Sequence, residues 1–338
     1  MCLGVAGCSS SPTGHSSQAA PSFKEIESQL EALRLRWDVP GMSAAIAQDG
    51  VILWARGFGY ADVAAHRPAT PDTVYHLASL TKPFAAALLL QLVHEGRLNL
   101  DAPVSEFGVQ LQSEGVIRVR HLLSHTSEGV PGEAYRYSGT RFGQLDKVLT
   151  GVTGQSFATE IGRRILQPLD LTNTCPNPHS PDACKEAGRD AFTFAHRLAQ
   201  GYGPDGVAPV DYKRHFVTAA GLVSTVGDMI RFSAALDDGR LLREEVRRIA
   251  YAPAVTSNGK PLPYGLGWFV QERRGVQVLW HYGWWVGDSS LIVKIPDRKL
   301  TFVLLANSDG LSRKFDLGHD NNVRRSPFAR AFLNAFGL

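Results

Sequence analysis

The chain has 338 residues, of which 44% are apolar and 20% charged, a balance that closes a large hydrophobic core and excludes a disordered chain. Its formal charge of +3 is a small excess that no long lysine or arginine block concentrates, so neither nucleic acid nor a membrane surface gains support as a partner. No stretch reaches the roughly 18 consecutive apolar residues of a spanning helix, and the best candidate, Phe84 to Val93, stops at His94-Glu95-Gly96 and reads as a buried helix.

At the N-terminus, Val5-Ala6-Gly7-Cys8 has the small-residue pattern of a bacterial lipobox, followed by the Ser/Thr/Pro/Gly-rich stretch Ser9 to Pro21. The basic segment and most of the apolar segment of such a signal are missing, so residues 1–21 read as a clipped lipoprotein signal with a flexible tether. On that reading Cys8 carries the lipid and Cys2 is removed. The protein is then exported to the periplasm and lipid-anchored, at the outer membrane. The alternative is an irregular N-terminus with chance cysteines. Cys175 and Cys184 flank a Pro/Asn/Ser/Asp-rich loop that an exported protein could bridge. Four cysteines without a paired C-x-x-C make no case for structural zinc, and no metal or cofactor is expected.

Along the chain, Phe23, Ile26, Leu30, Leu33 and Trp37 recur at three- and four-residue steps until Pro40-Gly41, which predicts an amphipathic helix. Two apolar runs, Met42 to Ala47 and Val51 to Ala55, meet at Asp49-Gly50, a dipeptide suited to a tight hairpin. From Leu80 to about Ala250 the signals are mostly helical: Ala85 to Val93, His121 to Ser124, Phe142 to Leu149, Ala158 to Leu166 and Gly227 to Ala235. Strand patterns return at Tyr264 to Gln271, Val276 to His281, Ser289 to Ile295 and Leu300 to Ala306, with Pro296-Asp297 as a turn. The expected fold is α+β, an antiparallel sheet built from both termini, flanked by helices and carrying an inserted, mostly helical region. Residues 22–338 form one catalytic domain in this reading, its α/β part at about 22–80 and 255–338 and its helical part at about 81–254.

The chemistry begins at Ser79-Leu80-Thr81-Lys82, where a loop gives way to the apolar helix. Side chains at i and i+3 share a helix face, so a first-turn serine stands beside the lysine one turn on, and a neutral amine there can take the serine proton. S-x-x-K alone is weak. A second copy, Ser257-Asn258-Gly259-Lys260, sits among Gly and Pro with no helix to hold its register and reads as chance. No G-x-S-x-G occurs, which counts against an α/β-hydrolase nucleophile elbow. His121-x-x-x-His125 has zinc-like spacing but lacks the Glu of H-E-x-x-H and any evident third ligand, so a packing or loop-ordering role is expected. Trp280, Tyr282, Trp284 and Trp285 form either core or an apolar wall for a substrate.

Taken in order, these motifs resemble the serine β-lactamase and penicillin-binding-protein family, in particular the class C β-lactamases and related esterases, D-aminopeptidases and DD-peptidases. The resemblance runs from about Phe23 to Ala306. After Ser79-x-x-Lys82 come His121-Leu-Leu-Ser-His125-Thr126-Ser127, then Tyr137-Ser138-Gly139 where the family has Tyr-x-Asn. Ala219 to Thr225 and Tyr264-Gly265-Leu266-Gly267-Trp268 follow, and His281-Tyr282-Gly283 stands where the family has Lys-Thr-Gly or His-x-Gly, with Gly287, Ser289 and Ser290 beyond. The resemblance implies a β-lactamase/transpeptidase-like fold and an acyl-enzyme on Ser79, with Lys82 and Tyr137 handling its proton. It implies an oxyanion hole of the Ser79 and Trp284 backbone N–H groups, and His281, Gly283 and position 139 on the substrate side. Read without it, Tyr137 is a core or rim tyrosine and His281 a strand-end histidine.

Two positions depart from the family. Gly139 removes the carboxamide that would hold the catalytic network and a substrate amide carbonyl, and His281, unlike lysine, carries no fixed charge for a substrate carboxylate near pH 7. Both changes spare the nucleophile, so a small-molecule ester becomes the preferred substrate. A D-amino-acid peptidase, DD-carboxypeptidase or class C-like β-lactamase is the alternative, and a non-catalytic binding protein that kept the fold is a further one.

Overall fold

The structure is a computed structural model that describes Met1, residues 22–210 and residues 216–338. Cys2, Cys8 and the Ser9 to Pro21 tether lie outside the described residues. The central layer is a seven-stranded antiparallel sheet assembled from both ends of the chain. β1 (Gly41–Gln48), β2 (Val51–Asp62) and β3 (Arg67–Pro68) come from the N-terminal part, and β7 (Phe269–Arg273), β8 (Val276–Trp285), β9 (Asp288–Ile295) and β10 (Leu300–Ala306) from the C-terminal part. Their spatial order is β3-β2-β1-β10-β9-β8-β7. The two halves are sewn together where β1 meets β10, with Met42 opposite Ala306 and Gln48 opposite Leu300. The Asp49-Gly50 turn takes positive φ at both residues, 52° and 78°, as a right-twisted two-residue hairpin requires.

Both faces of this sheet are covered, which is why its central strands read as continuous apolar runs and not as alternating ones. Met42, Ala44 and Ile46 join Phe302 and Leu304 in one core, beneath α1 (Phe23–Arg36) and α11 (Pro327–Ala335). Ala45, Ala47, Val303 and Leu305 face the other core, with α2 (Thr81–His94) and α9 (Val226–Asp237). The inserted region supplies α3 (Val119–Leu123), α4 (Gly139–Gly143), α5 (Leu145–Thr153), α6 (Phe157–Ile161), α7 (Pro181–Glu186), α8 (Ala191–Ala195) and α10 (Glu244–Tyr251). A second sheet of very short strands, β4 (Tyr75–His76), β6 (Leu222–Ser224) and β5 (Cys175–Pro176), lies beside the start of α2.

Three expectations change in detail. The strand expected from Tyr264 begins only at Phe269, because Gly267 adopts φ 88° and lies so close to Ala86 of α2 that a Cβ would stand 2.3 Å from it. The single helix expected from Phe142 to Leu149 breaks at Gln144 into α4 and α5. The Ala158 to Leu166 run starts as α6 and widens into a π turn over Gly162–Leu166.

Candidate active site

The nucleophile turn is a short 3₁₀ segment, Ala78–Leu80, that runs directly into α2. Ala78 has φ 48°, a left-handed conformation that an alanine does not choose by itself, so the surrounding chain must impose it. Four hydrogen bonds do so. Leu77 N donates to Leu222 O at 2.9 Å, Ser290 Oγ donates to Leu77 O at 2.7 Å, and Thr81 Oγ1 donates to Ala78 O at 2.8 Å while accepting from Leu222 N at 3.1 Å. Gly283 completes the clamp: a Cβ there would stand 2.1 Å from Leu77 O, so only glycine lets β8 approach the turn.

Lys82, fully buried at 1% exposure, points its amine at the half-buried Ser79, with Nζ 2.9 Å from Oγ, and donates to the Ala219 carbonyl at 3.0 Å. It lies over the rings of Tyr137 and Phe142, 4.9 and 5.5 Å from their centroids. Removal from water lowers its pKa from 10.5 to about 7, so near neutral pH a substantial fraction is a free amine able to accept a proton. The Tyr137 hydroxyl interacts with Ser79 but closes no hydrogen bond of regular geometry. Burial pushes its pKa well up, Tyr282 adds to the rise, and Ser79 opposes it in part, so the ring stays a phenol.

His125 sets the Tyr137 loop. Its carbonyl accepts from Arg136 N at 2.8 Å, its Nδ1 accepts from Ser138 N at 3.2 Å, and its ring packs 4.3 Å from that of Tyr137. His121 likewise uses Nδ1 to accept from Arg118 N at 3.2 Å. The two histidines order backbone.

Ser79, Lys82, Tyr137, Gly139 and Trp284 all line one cavity of about 640 Å³, within the usual range for a small-molecule site. Lys82 is the sole lysine or arginine among its described lining residues. A Cβ at Gly139 would stand 3.9 Å from Lys82 Nζ, an ordinary contact, so a side chain at this position begins beside the amine. The second S-x-x-K copy lies elsewhere, in an exposed turn.

His281 does not face this cavity as expected. It is fully buried, with Nε2 2.8 Å from Tyr264 Oη and Nδ1 2.7 Å from the Tyr282 carbonyl, and the rings of Tyr264 and Tyr137 cover it. Burial, then the nearby Lys82 charge, drive its pKa well below the usual histidine value, so it is neutral. Gly283 also lines no part of the cavity and acts as the close-approach residue described above. The aromatic cluster divides: Trp280 and Tyr282 are core, whereas Trp284 and Trp285 are 48% and 59% exposed at the cavity wall.

Some residues of the site escape sequence reasoning. His76 and Asp288 line the cavity, and the Ala219 carbonyl receives Lys82. His76 lies three residues before Ser79 and Asp288 between Gly287 and Ser289, but a backbone acceptor leaves no residue-type signal.

Comparison with known proteins agrees with this geometry. Penicillin-binding protein 4* of Bacillus subtilis (strain 168) is 26% identical over 328 residues, covering 85% of this chain and 72% of that protein. D-aminopeptidase of Gluconobacter oxydans (strain 621H) is 26% identical over 316 residues, and the match takes in 83% of this chain but only 58% of that protein. The octameric penicillin-binding protein homologue from Pyrococcus abyssi superposes with a TM-score of 0.77 at 24% identity, over 92% of this chain and 77% of that one, a likeness of fold. The beta-lactamase family pattern itself matches residues 27–323, a span that takes in the nucleophile turn, the tyrosine loop and the β8–β9 wall, and this chain belongs to that family of serine hydrolases.

Proposed function

We propose that the protein forms an acyl-enzyme on Ser79 and cleaves small carboxylic esters in preference to peptides and β-lactams. The uncharged Lys82 amine takes the Ser79 proton as Oγ attacks the acyl carbon. The resulting oxyanion sits against the backbone N–H groups of Ser79 and Trp284, both on the cavity wall. Tyr137, held as a phenol, passes a proton to the departing alkoxide and recovers one from Lys82. Water then attacks the acyl carbon, its proton returns through Lys82, and Ser79 is released.

The observation that carries the ester preference is Gly139, which puts no side chain at a position whose Cβ would stand 3.9 Å from Lys82 Nζ and to which the family resemblance assigns an asparagine carboxamide. An amide's amine must be held and protonated to leave, whereas an alkoxide leaves more readily, so the missing carboxamide penalises amides more. A contact of that kind contributes about 1.5–3 kcal/mol, or roughly one to two powers of ten in kcat/KM.

A second reading, hydrolysis of D-aminoacyl amides or peptides, draws support from the D-aminopeptidase relatives. Comparing kcat/KM for p-nitrophenyl butyrate, D-alanine p-nitroanilide and a chromogenic cephalosporin decides between them. The ester is expected to be fastest, and Gly139→Asn is expected to raise amide or cephalosporin turnover about tenfold or more. A faster anilide in the wild-type protein, with no gain from Gly139→Asn, replaces the first reading with the second.

A further inference from the structure

Cys175 in β5 and Cys184 in α7 lie nine residues apart and are both fully buried as free thiols, with Sγ 2.7 Å from Sγ, inside the contact distance of two unbonded sulfurs. They pack with Val74, Phe194 and Val223 in a small apolar cluster of their own and line no part of the cavity. Their position relative to the site is informative. Cys175 pairs with Val223 and Pro176 with Leu222 across β5 and β6, and Asn177 N donates to Gly221 O at 2.7 Å. The strand they grip is continuous with Ala219, whose carbonyl receives Lys82, and with Leu222, whose N–H and C=O both hold the nucleophile turn.

We infer that Cys175 and Cys184 are a disulfide-forming pair, and that the bond clips the loop between β5 and α7 onto the strand that backs the nucleophile turn. The oxidant is a small-molecule or protein disulfide, for example glutathione disulfide. One thiolate attacks it and releases one reduced thiol; the second cysteine displaces the other. Two protons and two electrons leave the pair, and one disulfide is reduced to two thiols. With both sulfurs buried, exchange takes place while the chain folds. The bond shortens the freedom of the unfolded loop and leaves the chemistry of Ser79 untouched.

The sequence offers a direct assay, because both cysteines fall in one tryptic peptide, residues 165–185. The protein is refolded in a glutathione redox buffer, denatured in iodoacetamide and digested. The expected peptide is unalkylated and two hydrogens lighter than the dithiol, and reduction before alkylation converts it to the doubly alkylated form. Reduction is also expected to lower Tm by about 2–5 °C, and Cys175→Ser to abolish that dependence while exposing Cys184 to alkylation. A peptide that stays doubly alkylated after oxidation, a bridge running to Cys2 or Cys8 instead, or a reductant-dependent Tm that persists in Cys175→Ser each overturns the proposal.

Discussion

Lys82 and Lys294 are equally buried, at 1% and 0% exposure, and the chain uses them in opposite ways. Lys294, on β9, donates to the Asp237 carboxylate at 2.9 Å, to the Ser233 carbonyl at 3.0 Å and to the Ser233 hydroxyl, fastening the sheet to α9. Burial lowers its proton affinity, but Asp237 opposes that shift and keeps the amine matched to a counter-charge. Around Lys82, among the described residues, there are a hydroxyl, a carbonyl and two aromatic faces, and burial alone sets its pKa at about 7. Burial is thus common to both; the missing carboxylate is what separates a base from a structural pin.

The largest test of that contrast is at Lys82 itself and its partner. Ser79→Ala is expected to abolish turnover and covalent labelling by a fluorophosphonate, with an unchanged circular dichroism spectrum. Lys82→Arg, which keeps the charge but cannot give up its proton, is expected to lower kcat by about 10²–10⁴-fold. Near-normal kcat in that variant removes Lys82 from the base role.

At the other lysine the expected effect is on stability. Asp237→Asn leaves the Lys294 ammonium without its counter-charge and is expected to destabilise the protein by about 3 kcal/mol in denaturant titration, with kcat unchanged. A loss of activity without loss of stability would erase the distinction between the two sites.

A smaller effect distinguishes them by pH. Below pH 7 the Lys82 amine is protonated in both the folded and unfolded states, and the folded state bears the full cost of burying the charge. Between about 7 and the ordinary value of 10.5 the folded chain has released the proton and the unfolded chain has not, so stability rises with pH across that window. Lys82→Met is therefore expected to raise Tm most below pH 7, the gain shrinking toward pH 10, as thermal scans at several pH values would show. A gain that is constant with pH would mean that Lys82 does not titrate in the folded state.

The same pair explains what the sequence could disclose. Lys82 was legible because its partner lies three residues away at a helix start, so spacing alone brings the two side chains together. Lys294 was not, since its burial depends on Asp237, 57 residues distant in sequence, and Val293-Lys294-Ile295 reads equally well as a strand with an outward charge. The long sheet strands showed as apolar runs, whereas β4, β5 and β6 span two or three residues each, too short to carry any period. His281 was misplaced for a related reason: the rings that cover it, Tyr264 and Tyr137, arrive from loops 17 and 144 residues earlier in the chain, a geometry no local pattern encodes.

The most direct measurement of the central claim is the pH dependence of kcat/KM for p-nitrophenyl butyrate between pH 5 and 10. If the uncharged Lys82 amine activates Ser79, the rate rises with pH through a single midpoint near 7, because only the deprotonated fraction can accept the serine proton. A profile that is flat from pH 6 to 9, or one whose rise is centred near the ordinary lysine value of 10.5, would contradict it.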